Sequence, residues 1–181
     1  MDVITQFDQS ALEALYRVRD PALVQILIWI SEFGRIPTIV GLTSAAALIF
    51  ILKRHYAYAA GVAISVAISG IAIFLAKGFI ARMRPEKMYQ AYAETWYSFP
   101  SAHAAFAVAL YGFLVVLAWR TVHSPLERFA VVSMGIIVIG AVAFSRLYLG
   151  VHFLSDVIAG LLLGALCVWL GAKFVAYAHR T

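Results

Sequence analysis

Long apolar blocks separated by short polar ones dominate this chain. Five of them read as membrane-spanning helices: Thr38–Leu52, Tyr56–Phe79, Ala102–Trp119, Phe129–Phe144 and His152–Tyr177. Several approach or exceed the roughly 20 residues that cross a bilayer as a helix. Ahead of them the pattern changes. Residues 10–19 predict a short amphipathic helix: Ser10 and Glu13 have capping-box spacing, and Leu12, Leu15 and Tyr16 share a face. Arg17, Arg19 and Asp20 make it a poor span, so it is expected to lie in the membrane interface. Asp20-Pro21 restarts a helix as N-cap and first-turn proline. That helix, Ala22–Phe33, is too short to cross, carries Gln25 and Glu32, and is punctuated by Gly34 and Pro37. The expectation is one all-α, polytopic membrane helix bundle, with residues 1–35 as N-terminal interfacial helices and 36–181 as a five-span bundle.

Composition agrees. Of 181 residues, 64% are hydrophobic and 13% charged, and mean hydropathy is +0.90. A soluble domain is nearer half apolar and a quarter charged. Residues 1–20 lack the basic start and apolar centre of a signal peptide. Cys167 is the only cysteine, so no internal disulfide forms. The net charge of +5 forms no basic stripe, so nucleic acid is not an expected partner. Small residues in the second span (Ala60, Gly61, Ser65, Ser69, Gly70) and the Gly160-x-x-x-Gly164 pair in the fifth read as packing faces.

Charge adds most where the spans end. With each span reversing direction, one side holds Lys53, Arg54, the 120–128 loop, Lys173 and Arg180. The other holds the N-terminal segment, the 80–100 loop and the 146–151 turn. Three polar clusters fall on this second side: Lys77 to Pro85, Pro100 to His103, and Ser145 to Asp156. Counting Lys and Arg gives six on the first side and eight on the second; without Lys77, Arg84 and Arg146 the second has five. This slight bias puts the first side in the cytoplasm and the clusters outside. Tyr89, Tyr92, Trp96, Tyr97 and Phe99 in the 86–99 loop fit an interfacial aromatic belt, with substrate contact the alternative.

Each cluster admits a plain reading and a chemical one. Lys77 and Arg84 are seven apart; on a continuous helix stopped by Pro85 they would share a face about 10 Å apart. Either alone could be a snorkelling anchor, and nothing decides the role of Arg82. Ser101 and His103 open a helix, whose first-turn N–H groups suit an anion; Ser101 could equally be only a cap. His152 and Asp156 are four apart at the start of the fifth span, on one helical face. An intramembrane carboxylate is costly unless paired. Asp156 can accept from one ring nitrogen of His152 and leave the other as nucleophile or base; a purely structural pair is the alternative. Arg146 offers a planar fork of donors suited to phosphate. No His, Cys, Asp and Glu set has metal-ligand spacing, so no cofactor is expected. The cations would supply the electrostatics of a metal-free phosphoryl-transfer site.

Lys77-x6-Arg84-Pro85, Pro100-Ser101-Ala102-His103 and Ser145-Arg146-x5-His152-x3-Asp156 together closely resemble the three motifs of the type 2 phosphatidic acid phosphatase superfamily, with Ala102 where the family has glycine. The match covers about Thr38 to the C-terminus. The resemblance implies His152 as a nucleophile that becomes phosphohistidine, Asp156 as its orienter, and His103 as proton donor and then water activator. It implies phosphoryl binding by Lys77, Arg84, Ser101, Arg146 and the backbone near Ala102. Family members have about six spans, so a six-span bundle is the alternative; the family's first span looks missing here. The implied activity is a lipid phosphatase of a bacterial cytoplasmic membrane, acting at its outer face. Undecaprenyl pyrophosphate is the first substrate expectation, then phosphatidylglycerophosphate, phosphatidate and lipid A phosphates. A lipid-linked phosphotransferase and a non-catalytic lipid-binding or transport protein are the alternatives.

Overall fold

The computed structural model of the chain describes residues 3–179. Met1, Asp2, Arg180 and Thr181 lie outside the described residues, and with them the Arg180 charge counted above. Among the described residues the helices are α1 (Val3–Arg17), α2 (Pro21–Glu32), α3 (Ile36–Leu52), α4 (Tyr56–Ile80), α5 (Ala102–Thr121), α6 (Pro125–Tyr148) and α7 (Leu154–Ala178), with one 3₁₀ turn at Lys87–Tyr89. No strand occurs among them. Helices α4 to α7 are each long and apolar enough to cross a membrane. Their 20 to 25 residues reach about 30 Å or more at 1.5 Å per residue. Helices α2 and α3, bent by 43° at their break, pass the same test together, which brings the total to five. The chain is a multi-span, membrane-embedded helical protein.

The N-terminal part departs from expectation in two ways. Residues 22–33, expected as a separate interfacial helix, lie in α2, which joins α3 across a 43° bend and together with it is long and apolar enough to cross. Leu27 and Ser31 bury their side of α2, with Leu27 packed among Tyr148, Leu149 and Val151. The bend falls at Gly34, where an added Cβ would stand 2.7 Å from Val142 and 3.0 Å from the His103 Cβ. Glycine lets the bend close against the start of α5. Helix α1 begins seven residues earlier than the capping signal at Ser10 indicated. Ser10 lies mid-helix, its hydroxyl donating to the Gln6 carbonyl at 2.8 Å. The buried residues of α1 are Asp8 and Leu12, so the helix docks on the bundle and its start follows the docking face. Asp20 and Pro21 behave as read: the Asp20 carboxylate caps α2 through Leu23 N–H at 2.9 Å.

The apolar centre lies among α4, α5 and α7, with Val62, Ile73, Leu110, Phe113, Cys167 and Val175 in one buried cluster. Helix α5 carries a π-turn at Val108–Gly112. Helix α6 starts four residues before the expected Phe129, at a Ser124–Glu127 capping box. The Gly160/Gly164 pair does what its spacing suggested. Added Cβ atoms there would lie 2.5 Å from the Ser101 and Ala105 carbonyls respectively, so α7 meets the first turns of α5 backbone to backbone.

Gly160→Ala should therefore lower stability by about 1–3 kcal/mol through overpacking. Gly140→Ala, where no atom lies within 4 Å of the new Cβ, should leave stability unchanged or slightly raised. Thermal unfolding of the two variants in detergent measures the contrast.

Candidate functional site

The three polar clusters meet at one end of the bundle. Lys77, in the last turn of α4, is 3% exposed. Its ammonium donates to the backbone carbonyls of Tyr97 and Ser98. It points into the bundle, which rules out the snorkelling reading. The chain then leaves the helix earlier than Pro85 suggested. Helix α4 ends at Ile80, and Ala81 takes a left-handed φ of +50°. Lys77 and Arg84 are thus not two positions on one helical face. Residues past Ala81 pair instead with the returning loop, Ser98 N–H donating to the Arg82 carbonyl at 2.8 Å. Arg84 is held by carbonyls: Nε donates to Trp96 (3.0 Å), Nη1 to Val151 (2.8 Å) and Nη2 to Thr95 (3.2 Å).

Ser101 is the N-cap of α5 and is fully buried. Its N–H donates to the Asp156 carbonyl at 2.9 Å, while its hydroxyl has no partner among the described residues. Ala102 is the first residue of α5 and does not take a positive φ. Alanine in place of glycine is therefore unstrained here. The first-turn N–H groups of Ala102 and His103 have no intrahelical acceptor, as at any helix start.

The third cluster differs from its sequence reading in one respect. His152 is not on the helix, because α7 starts at Leu154. Asp156 is instead the third residue of α7, where its Oδ2 accepts from Phe153 N–H at 2.9 Å. His152 sits in the preceding turn, with Nδ1 3.5 Å from the same Oδ2. On the opposite side of the ring, Nε2 lies 3.2 Å from Arg84 Nη1. A guanidinium can only donate, so Nε2 carries the lone pair and Nδ1 the proton that faces Asp156. His152 is 2% exposed. Its pKa is held well below 6.5, chiefly by burial and then by the positive charges of Arg146, Arg84 and Lys77. A neutral imidazole with its lone pair beside a guanidinium is the result.

Arg146 is fully buried. Its Nη1 donates to the hydroxyls of Ser31 and Tyr92, and its Nη2 lies 2.6 Å from a Glu94 carboxylate oxygen. The other Glu94 oxygen is 3.7 Å from Arg84. A carboxylate thus occupies the space between two guanidinium groups that the motifs mark for phosphate.

His103, His152, Lys77, Arg84 and Glu94 line one cavity of about 470 Å³. Its remaining wall includes Ile36, Pro37, Gly70, Ile73, Phe74 and Phe106 from three helices, with Thr95 and Trp96 from the loop. The 86–99 loop therefore folds over the site in part, and Trp96 packs on Phe74 with ring centres 5.6 Å apart. Of the five aromatic residues in this stretch, Trp96 lines the cavity. The polar end can hold a phosphoryl group against His152; the apolar wall can hold a chain attached to it.

Glu94, Tyr92 and Ser31, all partners of Arg146, and Asp8 and Arg82 belong to the site without being fixed positions of the three motifs. Arg82 pairs with Asp156 at 2.6 Å and with Asp8 at 2.7 Å. Glu94 had one legible signal: it is an acid in an aromatic loop between two basic motifs. Nothing local marked Ser31 or Asp8.

Residues 54–180 match the PAP2 superfamily. Phosphatidylglycerophosphatase B of Bacillus subtilis is 34% identical over 102 residues, 54% of this chain and 48% of that protein. A dihydrosphingosine 1-phosphate phosphatase of Schizosaccharomyces pombe is 28% identical over 90 residues, 49% of this chain and 22% of that protein. The matched region thus spans about half the length, or less, of these curated relatives. Among solved structures, the transmembrane PAP2-type phosphatidylglycerolphosphate phosphatase from Bacillus subtilis superposes with a TM-score of 0.86 at 24% identity, over 96% of this chain and 87% of that one. Aquifex aeolicus LpxE gives 0.72 at 19% identity, over 91% and 94%. The motifs, the helical architecture and a match over most of the chain agree, and the protein belongs to the PAP2 superfamily.

Proposed function

We propose that the chain is a lipid phosphatase that transfers the phosphoryl group of its substrate to His152 and then to water. The observation that carries this reading is the His152 geometry: a buried, neutral ring with Nε2 turned to Arg84 at 3.2 Å and Nδ1 turned to Asp156 at 3.5 Å. In the first step Nε2 attacks phosphorus and the phosphorus–oxygen bond to the leaving group breaks. His103 gives the departing oxygen a proton. Asp156 stabilises the positive charge that grows on the ring. In the second step His103 takes a proton from water, which attacks the phosphohistidine and releases inorganic phosphate. Lys77, Arg84, Arg146, Ser101 and the first N–H groups of α5 hold the phosphoryl oxygens throughout, and Glu94 yields its place on Arg146 to them.

The apolar wall formed by Ile73, Phe74 and Phe106 favours a phosphate attached to a lipid chain. Phosphatidylglycerophosphate moves ahead of undecaprenyl pyrophosphate as the first substrate to test, because the Bacillus subtilis relative named above carries that activity in its name. The site is read as facing the outer side of a bacterial cytoplasmic membrane.

A phosphate-release panel on purified protein tests the reading, with phosphatidylglycerophosphate, phosphatidate and undecaprenyl pyrophosphate as substrates. His152→Ala should abolish turnover; release at the parental rate would remove the nucleophile assignment. His103→Ala should cost more on phosphatidate, whose leaving group is a poor alkoxide, than on undecaprenyl pyrophosphate, whose leaving group is a more stable phosphate. Equal losses on both would remove the proton-donor role.

The rate should follow a bell in pH, since His152 acts neutral and His103 acts protonated. Burial and the surrounding cations lower the His152 pKa, so the nucleophile stays unprotonated on going below pH 6.5. The acid limb of kcat/KM on a given substrate should accordingly fall below that value. A rate that rises steadily from about pH 4 to 10 would count against both roles.

A further inference from the structure

One buried carboxylate has no part in the chemistry above. Asp8 lies on α1, a helix whose Val3, Ile4 and Phe7 are exposed, yet Asp8 itself is 1% exposed. A carboxylate so placed is costly unless paired. Its Oδ1 accepts from Ser155 N–H at 2.8 Å; its Oδ2 accepts from the Ser155 hydroxyl and from Arg82 Nη2 at 2.7 Å. The other end of the Arg82 guanidinium reaches Asp156 Oδ1 at 2.6 Å and the Ser155 hydroxyl at 2.7 Å. Its flat face rests on Phe153, 4.3 Å from the ring centre. A line of contacts therefore runs Asp8, Arg82, Asp156, His152, its last step the 3.5 Å approach of Asp156 Oδ2 to His152 Nδ1 and not a hydrogen bond. It begins on a helix that lies outside the 54–180 match to the family.

We propose that Asp8 is a positioning residue for the His152–Asp156 pair, acting through Arg82, so that α1 is part of the functional site. This rests on the roles given to His152 and Asp156 above. Two physical effects connect the ends of the line. The first is orientation: Asp8 holds Arg82 and Ser155, and Arg82 fixes the Asp156 carboxylate opposite His152 Nδ1. The second is charge. Arg82 alone would draw on the Asp156 lone pairs and weaken its support of the charge that develops on His152. Asp8 offsets that guanidinium and leaves the Asp156 charge available to the ring.

The charged and titratable groups that face the pair are known from every packed element. They are Lys77 of α4, Arg82, Arg84 and Glu94 of the following loop, His103 of α5, Arg146 of α6 and Asp8 of α1. Removing one negative charge from this set makes His152 harder to protonate; removing one positive charge makes it easier.

The test is a set of full-length variants assayed on one substrate, so that the substrate's own titration is common to all. Asp8→Asn should lower kcat about tenfold or more with KM nearly unchanged, and should move the acid limb of kcat/KM to lower pH. Arg82→Gln should move the limb to higher pH. The double variant should return it close to the parental position while kcat stays low, because orientation is still lost. Leu12→Ala loosens the same docking face (Leu12 is 4% exposed) without changing charge, and should leave the limb in place. If Asp8→Asn does not fold, the limb of the double variant must still lie below that of Arg82→Gln. Parental kcat and limb in Asp8→Asn would overturn the proposal. So would parallel losses in Asp8→Asn and Leu12→Ala with no shift in either, since that is the mark of a structural anchor. A parental protein that releases no phosphate from any lipid would instead overturn the phosphatase reading.

Discussion

The structure depends on how one buried carboxylate is satisfied. Asp156 is fully buried inside an apolar bundle, where an unpaired charge is costly by several kcal/mol. Three side-chain contacts answer that cost, and a backbone hydrogen bond at the same residue ties in a further helix. The carboxylate caps α7 through Phe153 N–H, pairs with Arg82 after α4, and faces His152 in the turn after α6. Its backbone carbonyl accepts from Ser101 N–H at the start of α5. The close approach of α7 to α5 at Gly160 makes the last contact possible. A residue that reads as half of a catalytic pair is also the point at which three spans and two loops are held together.

The cations obey the same constraint. Lys77 and Arg84 are not left facing hydrocarbon; each donates to loop carbonyls, Tyr97 and Ser98 for the first, Trp96, Val151 and Thr95 for the second. Helix α4 has to end before Pro85 for this to happen, because a helix through residue 84 would keep the 82–84 segment from meeting the 94–98 strand of loop. The irregular 81–100 segment is thus the polar lining that lets positive charge sit at the end of an apolar bundle. Its Arg84, Glu94, Thr95 and Trp96 also form part of the cavity wall. Glu94 on Arg146 balances a fully buried guanidinium.

Much was legible in the pattern. Four spans, the single helical class and the convergence of Lys77, Arg84, Ser101, His103, Arg146, His152 and Asp156 follow from apolar block length and from motifs whose spacing is set by helix ends. Those signals are local: a run long enough for a bilayer, a proline after a basic residue, two polar groups four apart. The boundaries were less legible. His152 precedes by two residues the helix that its spacing to Asp156 predicts, and Lys77 and Arg84 share no helical face because α4 ends at Ile80. In both cases side-chain pairing within the site overrode helix propensity, which is a weak preference beside an unpaired buried charge.

What only the tertiary structure decided is the set of partners that come from far along the chain. Ser31 and Arg146 are 115 residues apart, Asp8 and Ser155 147, and Arg82 and Asp156 74. No periodicity or spacing links such pairs, because each contact exists only once the helices that carry it have docked. The three polar clusters were therefore visible in the sequence as chemistry that a bilayer would not tolerate alone. The groups that make each of them tolerable, Asp8, Glu94, Tyr92 and the loop carbonyls, were settled by folding, since a buried charge takes whichever acceptor or counter-charge the packed bundle brings within reach.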